Sequence, residues 1–358
     1  MITPPVLPML AQSVDAIPAG MAYEPKWDGW RCIVFTGDRP RLFSRRGTEL
    51  TGDFPELVNA VRDQLPPDSV LDGEIVIISN DRLDYTALAS RHGAGAKADR
   101  LSRELPAHFI AFDVLQVGGR DIRDQQQRVR RRLLEELAGD LAHPLLISPL
   151  TTDVATAKRW FVDFEDFGLD GVMAKPPHGT YQSGKRTLFK IKHRRTADVV
   201  VGGFRLDRNA TPKHPTLGSL QLGLYRDGLL HHLGVCAGFP QATRVELGRM
   251  LLDLEVPPGS TALKEHPWHP GGSGGNRIPD GVSRWSTPND RIHLIDPLLV
   301  CEVTYDAVHP EGDLLRFRSN TAFLRWRTDK VAEDCTVDQL DQPSTASITS
   351  WLDDHQLG

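Results

Sequence analysis

A lysine, an aspartate and an arginine surround one glycine in EPKWDGWR, residues 24–31. A free lysine has a pKa of about 10.4 and is a poor nucleophile at neutral pH. Nearby positive charge or a metal frees such an amine for attack. Pro25 holds Glu24 extended and stiffens the approach to Lys26. Gly29 permits a turn or a close ligand approach. Asp28 and Arg31 offer an acceptor and a bidentate donor, suited to hydroxyls or phosphate. Alone, the stretch also fits a surface turn with mixed charges.

Groups that could complete a site around Lys26 lie inside strand-like segments. Residues i and i+2 of a strand face one side. Asp72 and Glu74 share a face in VLDGEIVI, and Lys190 and Lys192 share one in LFKIK. Arg316 and Arg318 do so in LLRFR, and Arg325 and Arg327 in FLRWR. Each pair alone also reads as the wet side of a half-buried strand. Together they offer carboxylates for a hard divalent metal such as Mg²⁺ and cations for a transferring phosphoryl group.

The elements that must position these residues change character along the chain. Strands are expected at 31–37, 41–44, 69–78, 108–115, 171–175 and 188–192, and helices at 54–65, 124–141 and 154–168, with Gly168 closing the last. The strands do not alternate regularly with helices, which predicts an α+β fold with mostly antiparallel sheets. Beyond residue 195 the pattern turns to five short strands, ADVVVGGF, SLQLGLY, LLHHLGVCAGF, LLVCEVTYDAV and LLRFRS, interrupted by one helix at 241–254. That is the economy of an OB-fold barrel. The expected divisions are a first domain over 1–195, an OB-fold domain over 196–335 and an acidic tail over 336–358. The Pro/Gly/Ser-rich stretch 264–290 reads as a mobile loop, and its HPWH as part of that loop rather than a metal pair.

Length, 358 residues, suits two or three domains. No stretch is apolar enough to cross a membrane, and the prolines near the start do not read as a secretory signal. Cys32, Cys236, Cys301 and Cys335 are far apart and form no CxxC, so neither a zinc site nor a disulfide framework is indicated, and a reducing cytoplasm fits. Net charge is −5, which argues weakly against a nucleic-acid partner. The charge is unevenly placed, however. KRTLFKIKHRR, residues 185–195, holds six Lys or Arg and no acid, while only acids follow Lys330. A local basic stripe outweighs the total for phosphate binding. A P-loop ATPase is excluded because GxxxxGK[ST] is absent.

Seven motifs, taken in order, resemble the covalent nucleotidyltransferase superfamily of DNA ligases, RNA ligases and capping enzymes. They are KWDGWR, SRRG, LDGEIV, FIAFDVL, DGVMAK, LFKIK and RWRTDK. PPVLPMLA, YQSGKRTLFKIK and the RxDK ending look like the small stand-alone bacterial ATP-dependent DNA ligases. The resemblance implies an ATP-grasp-like adenylation domain followed by an OB-fold domain. It implies nick sealing in duplex DNA by a cytoplasmic, nucleoid-associated monomer serving repair, using ATP and Mg²⁺ or Mn²⁺. Lys26 would carry AMP. Glu24 would read adenine and Phe112 stack on it, although a phenylalanine in an apolar strand is usually core. Arg31 and Glu74 would hold the ribose and the metal region, with Asp170 a second metal residue. Lys175, Lys190 and Lys192 would bind the nucleotide, the last two gripping its α-phosphate. Arg327, Asp329 and Lys330 would orient the pyrophosphate. Arg45, Arg46 and Arg186 would meet DNA.

Two positions depart from the family pattern. Asp170 stands where glutamate is usual, and Phe189, a mild change, where tryptophan is usual. The basic, Gly/Ala-rich segment 90–103 is expected to touch the duplex backbone through Arg91, Lys97 and Arg100, the alternative being a solvated loop. The rival expectations are an RNA ligase or capping-type enzyme of the same superfamily, and a non-catalytic OB-type nucleic-acid-binding protein.

Overall fold

The structure is a computed structural model. It describes the whole chain except residues 140, 165–168, 271–274, 280–290, 341–346 and 356–358, and the side chains of 353–355. The chain divides into two compact units. One is Met1–His193 together with Pro343–Gly358, and the other is Arg194–Gln342.

In the first unit the strands are β1 (Leu10–Ser13), β2 (Ala22–Pro25), β3 (Trp30–Phe35), β4 (Arg41–Ser44), β5 (Val70–Ser79), β6 (Arg82–Leu83), β7 (Ala107–Val117), β8 (Arg120–Asp121), β9 (Leu145–Ile147), β10 (Gly171–Lys175) and β11 (Arg186–Lys192). They form two sheets. The smaller runs β1-β11-β10-β2, and the larger runs β4-β3-β5-β7-β8 with β6 on β5 and β9 on β7. All pairs are antiparallel except β1 with β11 and β7 with β9. The helices are α1 (Pro55–Gln64), α2 (Tyr85–Ser90), α3 (Ala98–Glu104), α4 (Gln127–Ala138) and α5 (Val154–Asp163). The α5 N-terminus is fixed by Asp153, which accepts from the Ala155 and Thr156 amides. The expected closing residue Gly168 lies outside the described residues.

Segment 90–103 is not a loop. It holds the end of α2, a short 3-10 turn at Gly95–Lys97, and most of α3.

In the second unit β12 (Arg195–Leu206), β13 (Leu217–Arg226), β14 (Leu229–Cys236), β15 (His293–Tyr305) and a last strand make one sheet. Its order is β14-β13-β12-β15 and then Ala322–Trp326. A bridge between Cys236 and Thr321 links the outer strands and curls the sheet toward a barrel. LLRF was expected as the fifth strand. Instead Val308–Glu311 (β16) and Leu314–Phe317 (β17) form a separate hairpin, and FLRW supplies the fifth strand (β18). Helices α6 (Gln241–Asp253) and α7 (Thr261–Glu265) complete this unit.

The stretch expected to be a mobile loop contributes to this core. Trp268 is 2 % exposed, and its indole donates to the Leu230 carbonyl at 2.9 Å. His266 meets the Ile295 carbonyl and accepts from the Trp268 amide, so HPWH is structural.

The expected tail is also divided. Its last helix, α8 (Ile348–His355), returns to the first unit, where Ile348 and Leu352 are buried. Trp351 packs edge-on against Trp160 and Phe164, at 5.5 and 5.2 Å between centroids. Burying that apolar face outweighs the acids nearby.

Gly171 has φ of +126°, and a Cβ there would stand 2.1 Å from the Ile191 carbonyl oxygen. Gly171→Ala is expected to destabilise the first unit by about 2 kcal/mol or more, from backbone strain plus overpacking. Denaturant unfolding measures it, and a loss below half that figure contradicts the close approach.

Candidate active site

Lys26 follows β2 directly. Its amide donates to the Gly171 carbonyl at 2.8 Å, and its carbonyl accepts from the Asp170 amide at 3.2 Å. This extends the β2–β10 ladder by one step and sets the two side chains together. Lys26 Nζ donates to Asp170 Oδ2 at 2.5 Å. Lys192 Nζ lies 3.2 Å from the same oxygen. Lys192 is held by β11, opposite Gly171 in register. A cavity of about 310 Å³ opens here, lined among others by Lys26, Glu74, Phe112, Lys190 and Lys192. Arg45 and Arg186 also line it. Lys190 is pushed below the usual lysine range, first by burial, then by Lys192, Lys26, Arg186 and Arg45. Asp170 is 8 % exposed and is not among the lining residues.

One wall is built from buried charge. Glu24 is 1 % exposed. Lys175 Nζ donates to Glu24 Oε2 at 2.8 Å and to the Phe112 carbonyl at 3.0 Å. Glu24 Oε1 lies 2.8 Å from Lys175 Nζ and 3.9 Å from Arg131, yet accepts no aligned hydrogen bond. A buried acceptor in that state suits an incoming amino group. Arg31 and Lys175 each approach the Phe112 ring at 4.5 Å from its centroid. Phe112 is therefore both cavity lining and a cation–π partner.

Arg31 does not project freely. Its Nε and Nη2 bind Asp72 at 2.5 and 2.6 Å. Tyr181 donates its hydroxyl to Asp72 at 2.5 Å. Asp72 is fully buried and taken up by these partners, so only Glu74 of the DGE pair lines the cavity. Sequence reasoning quoted the run that begins at Tyr181 but gave the residue no role, and it did not foresee this use of Asp72. The expected close approach at Gly29 is made by the protein's own backbone, since a Cβ there would meet the Ile75 carbonyl oxygen at 2.1 Å.

Burial pushes the Glu74 carboxyl up to about 7. Arg31 and Lys26 oppose the rise, and Asp28 and Asp72 add to it. A dication beside Glu74 would supply the missing compensation. Asp170 is occupied by two lysines. Among the described residues no group of three His, Cys, Asp or Glu is placed to hold a metal ion. The donor set therefore fits an ion that shares oxygens with phosphates and water, as Mg²⁺ does, and not a dedicated protein cage.

Arg45 and Arg46 are exposed on the turn that follows β4, where Gly47 takes φ of +84°. Arg186 is exposed and donates to the Ala11 carbonyl at 2.8 Å. Lys97 and Arg100 are exposed, Arg100 being paired with Glu104 one helical turn on.

Arg91 corrects the sequence-based expectation. It is 0 % exposed, binds Glu56 through both terminal nitrogens, and donates to the Leu105 and Asp53 carbonyls. It is a structural cation. Removing one partner of such a pair leaves a buried charge uncompensated, so it is not a surface contact for DNA.

In the second unit Arg327 is clasped between two carboxylates. Its Nη1 meets both Asp198 oxygens at 2.7 and 2.8 Å, and its Nε and Nη2 meet Asp329 at 2.9 and 2.8 Å. Asp329 is held well below the usual carboxylate range by that guanidinium. Lys330 lies 3.5 Å from Asp198, a partner that the sequence did not announce. Arg316 pairs with Glu311 and Arg325 with Glu302, the solvated faces that their strands allowed.

A cavity lined by four lysines, one of them held against the buried Asp170, in an α+β unit followed by a curled five-stranded sheet, suits a nucleotidyl-transferring enzyme of two domains. The family described as "ATP dependent DNA ligase domain" matches residues 8–192, and "ATP dependent DNA ligase C terminal region" matches 213–330. DNA ligase C of Mycobacterium tuberculosis is 45% identical, covering 97% of each chain. DNA ligase C2 of Mycolicibacterium smegmatis is 43% identical, covering 98% of each. Among solved structures a Lig E DNA ligase aligns with TM-score 0.54 at 18% identity, covering 89% of this chain and 98% of that one. The chain belongs to the ATP-dependent DNA ligases, with an adenylation domain and an OB-fold domain.

Glu74 yields a pH signature. Its folded pKa of about 7 lies above the ordinary value of 4.5, so its stability contribution is full below about pH 4.5 and lost as pH rises through 7. In metal-free protein, Glu74→Gln is expected to gain in Tm over the parent between pH 5 and 8. The gain corresponds to a stability difference on the order of 3 kcal/mol at most. A constant Tm gap across that range shows that burial does not raise this carboxyl.

Proposed function

We propose that the protein seals 3′-hydroxyl/5′-phosphate nicks in duplex DNA by three successive transfers at the Lys26 cavity. The observation that carries this reading is the Lys26 amine, 2.5 Å from Asp170 and lining a cavity shared with Glu74, Lys190 and Lys192. First, Lys26 Nζ attacks the α-phosphorus of ATP. A P–N bond forms, pyrophosphate leaves, and the proton departs along the hydrogen bond to Asp170. Next, an oxygen of the nick's 5′-phosphate attacks the same phosphorus and releases the lysine amine. Last, the 3′-hydroxyl attacks the 5′-phosphorus, joins the strand and releases AMP.

Each cavity residue has a role in this scheme. Lys190 and Lys192 carry the charge of the phosphoryl oxygens. Glu24 Oε1 takes the adenine amino group, and Phe112 flanks the base. Arg31 addresses the ribose. Mg²⁺ or Mn²⁺, bound at Glu74 together with phosphate oxygens, would neutralise charge on the transferring group. Asp170 acts on Lys26 rather than on the metal. Arg327, Asp329 and Lys330 serve pyrophosphate departure, which requires Arg327 to exchange a carboxylate partner. Arg45, Arg46, Arg186, Lys97 and Arg100 meet DNA phosphates. A monomer in the bacterial cytoplasm serving repair fits this substrate, and no described helix is long and apolar enough to cross a membrane.

Incubation with α-labelled ATP and a divalent metal, followed by a denaturing gel, tests the scheme. The protein is expected to become covalently labelled and Lys26→Ala to stay blank. Label that survives Lys26→Ala would discard the assignment, and label from GTP alone would favour a capping-type reaction. A second measurement concerns the α3 region. Lys97→Glu with Arg100→Glu is expected to weaken binding to nicked duplex and to lower the salt slope by roughly one to two. Unchanged binding removes these two residues from the interface.

A further inference from the structure

Tyr181 opens the YQSGKRTLFKIK run but has been given no role so far, yet it closes a ring of hydrogen bonds behind the cavity. Its hydroxyl accepts from the Met9 amide at 3.0 Å and donates to Asp72 Oδ2 at 2.5 Å. Asp72 binds Arg31 through both oxygens. Arg31 Nη2 then donates back to the Met9 carbonyl at 3.3 Å. The ring therefore uses both main-chain groups of Met9. It ties the segment entering β1 to strands β3 and β5. Met9 and Arg31 line the cavity, whereas Tyr181 and Asp72 do not.

The components are too buried for water to substitute easily. Tyr181 is 6 % exposed, Met9 3 % and Asp72 0 %. Burial and the adjacent carboxylate push the Tyr181 hydroxyl well above its usual range, so it remains a proton donor. Arg130 packs over its ring at 5.6 Å, and the Tyr181 amide is fixed to the Arg123 carbonyl at 2.8 Å. The phenol is thus rigidly placed before it meets Asp72.

A carboxylate that accepts only from one guanidinium can turn with it as a unit. A third donor from a different element removes that freedom. Nε and Nη2 of Arg31 are engaged within the protein, which leaves the two N–H groups of Nη1 for a ligand. The direction of those groups is set by the plane of the Asp72 carboxylate.

We infer that Tyr181 is a positioning residue for the nucleotide: through Asp72 it fixes the Arg31 guanidinium and the Met9 wall in the orientation that recognises the ribose hydroxyls of ATP. This rests on the proposed reading of Arg31 as the ribose contact. Tyr181 touches no reacting atom. Its contribution lies in binding geometry, so its loss changes the concentration of ATP needed and the preference for an intact ribose, not the chemical step.

The test is single-turnover self-labelling of the full-length protein with ATP and with 2′,3′-dideoxy-ATP. Tyr181→Phe deletes one oxygen and keeps the ring. It is expected to raise the half-saturating ATP concentration roughly tenfold, the equivalent of about 1.4 kcal/mol. The limiting rate should stay within about twofold, given that the chemical step is untouched. The dideoxy-ATP to ATP ratio should fall toward one. Asp72→Asn should do the same, and the double variant should be no worse than Asp72→Asn alone. Half-saturation and the ratio do not depend on the folded fraction, so partial unfolding cannot imitate the result.

An unchanged half-saturation and ratio in Tyr181→Phe overturns the inference, provided that Arg31→Lys alters the ratio. If Arg31→Lys also leaves the ratio unchanged, Arg31 is not the ribose contact and the underlying reading of that residue fails. A parent protein that takes no label overturns the whole scheme.

Discussion

Asp170 Oδ2 takes the Lys26 ammonium at 2.5 Å and that of Lys192 at 3.2 Å, and the charge balance of the cavity is organised around that shared oxygen. The lining carries the cations Lys26, Arg31, Arg45, Lys175, Arg186, Lys190 and Lys192 against the carboxylates Glu24 and Glu74. At an effective dielectric of about 20, two like charges about 4 Å apart repel by about 4 kcal/mol. Such a group is tolerable only with buried acids interleaved. Asp170 serves Lys26 and Lys192, Glu24 serves Lys175, and Asp72 serves Arg31. The Lys190 proton is loosened first by burial and then by this crowding.

The same arrangement makes the cavity a receptor for polyphosphate. Each interleaved acid restrains a cation without neutralising the whole, so an anion entering the cavity meets a surplus of positive charge. The one carboxylate here that pays for burial without a close cation is Glu74, raised to about 7. On the proposed scheme a dication held by Glu74 together with the phosphates would relieve both imbalances.

Much of this was legible in the sequence because it depends on strand parity. Lys190 and Lys192 share a face in β11, and Glu74 stands one pleat from Asp72 in β5. What parity could not tell was which of two same-facing carboxylates would be consumed by the scaffold. Asp72 lies opposite Ile33 rather than Arg31 in register, and only the diagonal reach of a long guanidinium joins them. Tyr181 and Asp198 were illegible for a related reason. Each acts from far along the chain on a residue that a motif had already named. Arg91 was misread because basic, Gly/Ala-rich composition resembles a solvated loop. The helices around it were decided by burial of Leu88 and Ala98 and by the Glu56 carboxylate, which no local window contains. FLRW displaced LLRF as the fifth barrel strand since both have the same apolar–basic alternation, and pairing with β15 alone separates them.

The short arm of Asp170 suits the backbone beside it. The Asp170 amide bonds to the Lys26 carbonyl, and the Lys26 amide bonds to Gly171. With main chains that close, an aspartate already reaches the Lys26 ammonium at 2.5 Å. One more methylene would carry the carboxylate past the amine or force it to fold back, at a cost in rotamer strain. The short arm also keeps Asp170 out of the cavity lining, whereas Glu74 extends into it. On the proposed scheme the two carboxylates therefore divide the work by length. Asp170 aims the nucleophile and takes its proton, and Glu74 stands alone to share the metal with phosphate oxygens.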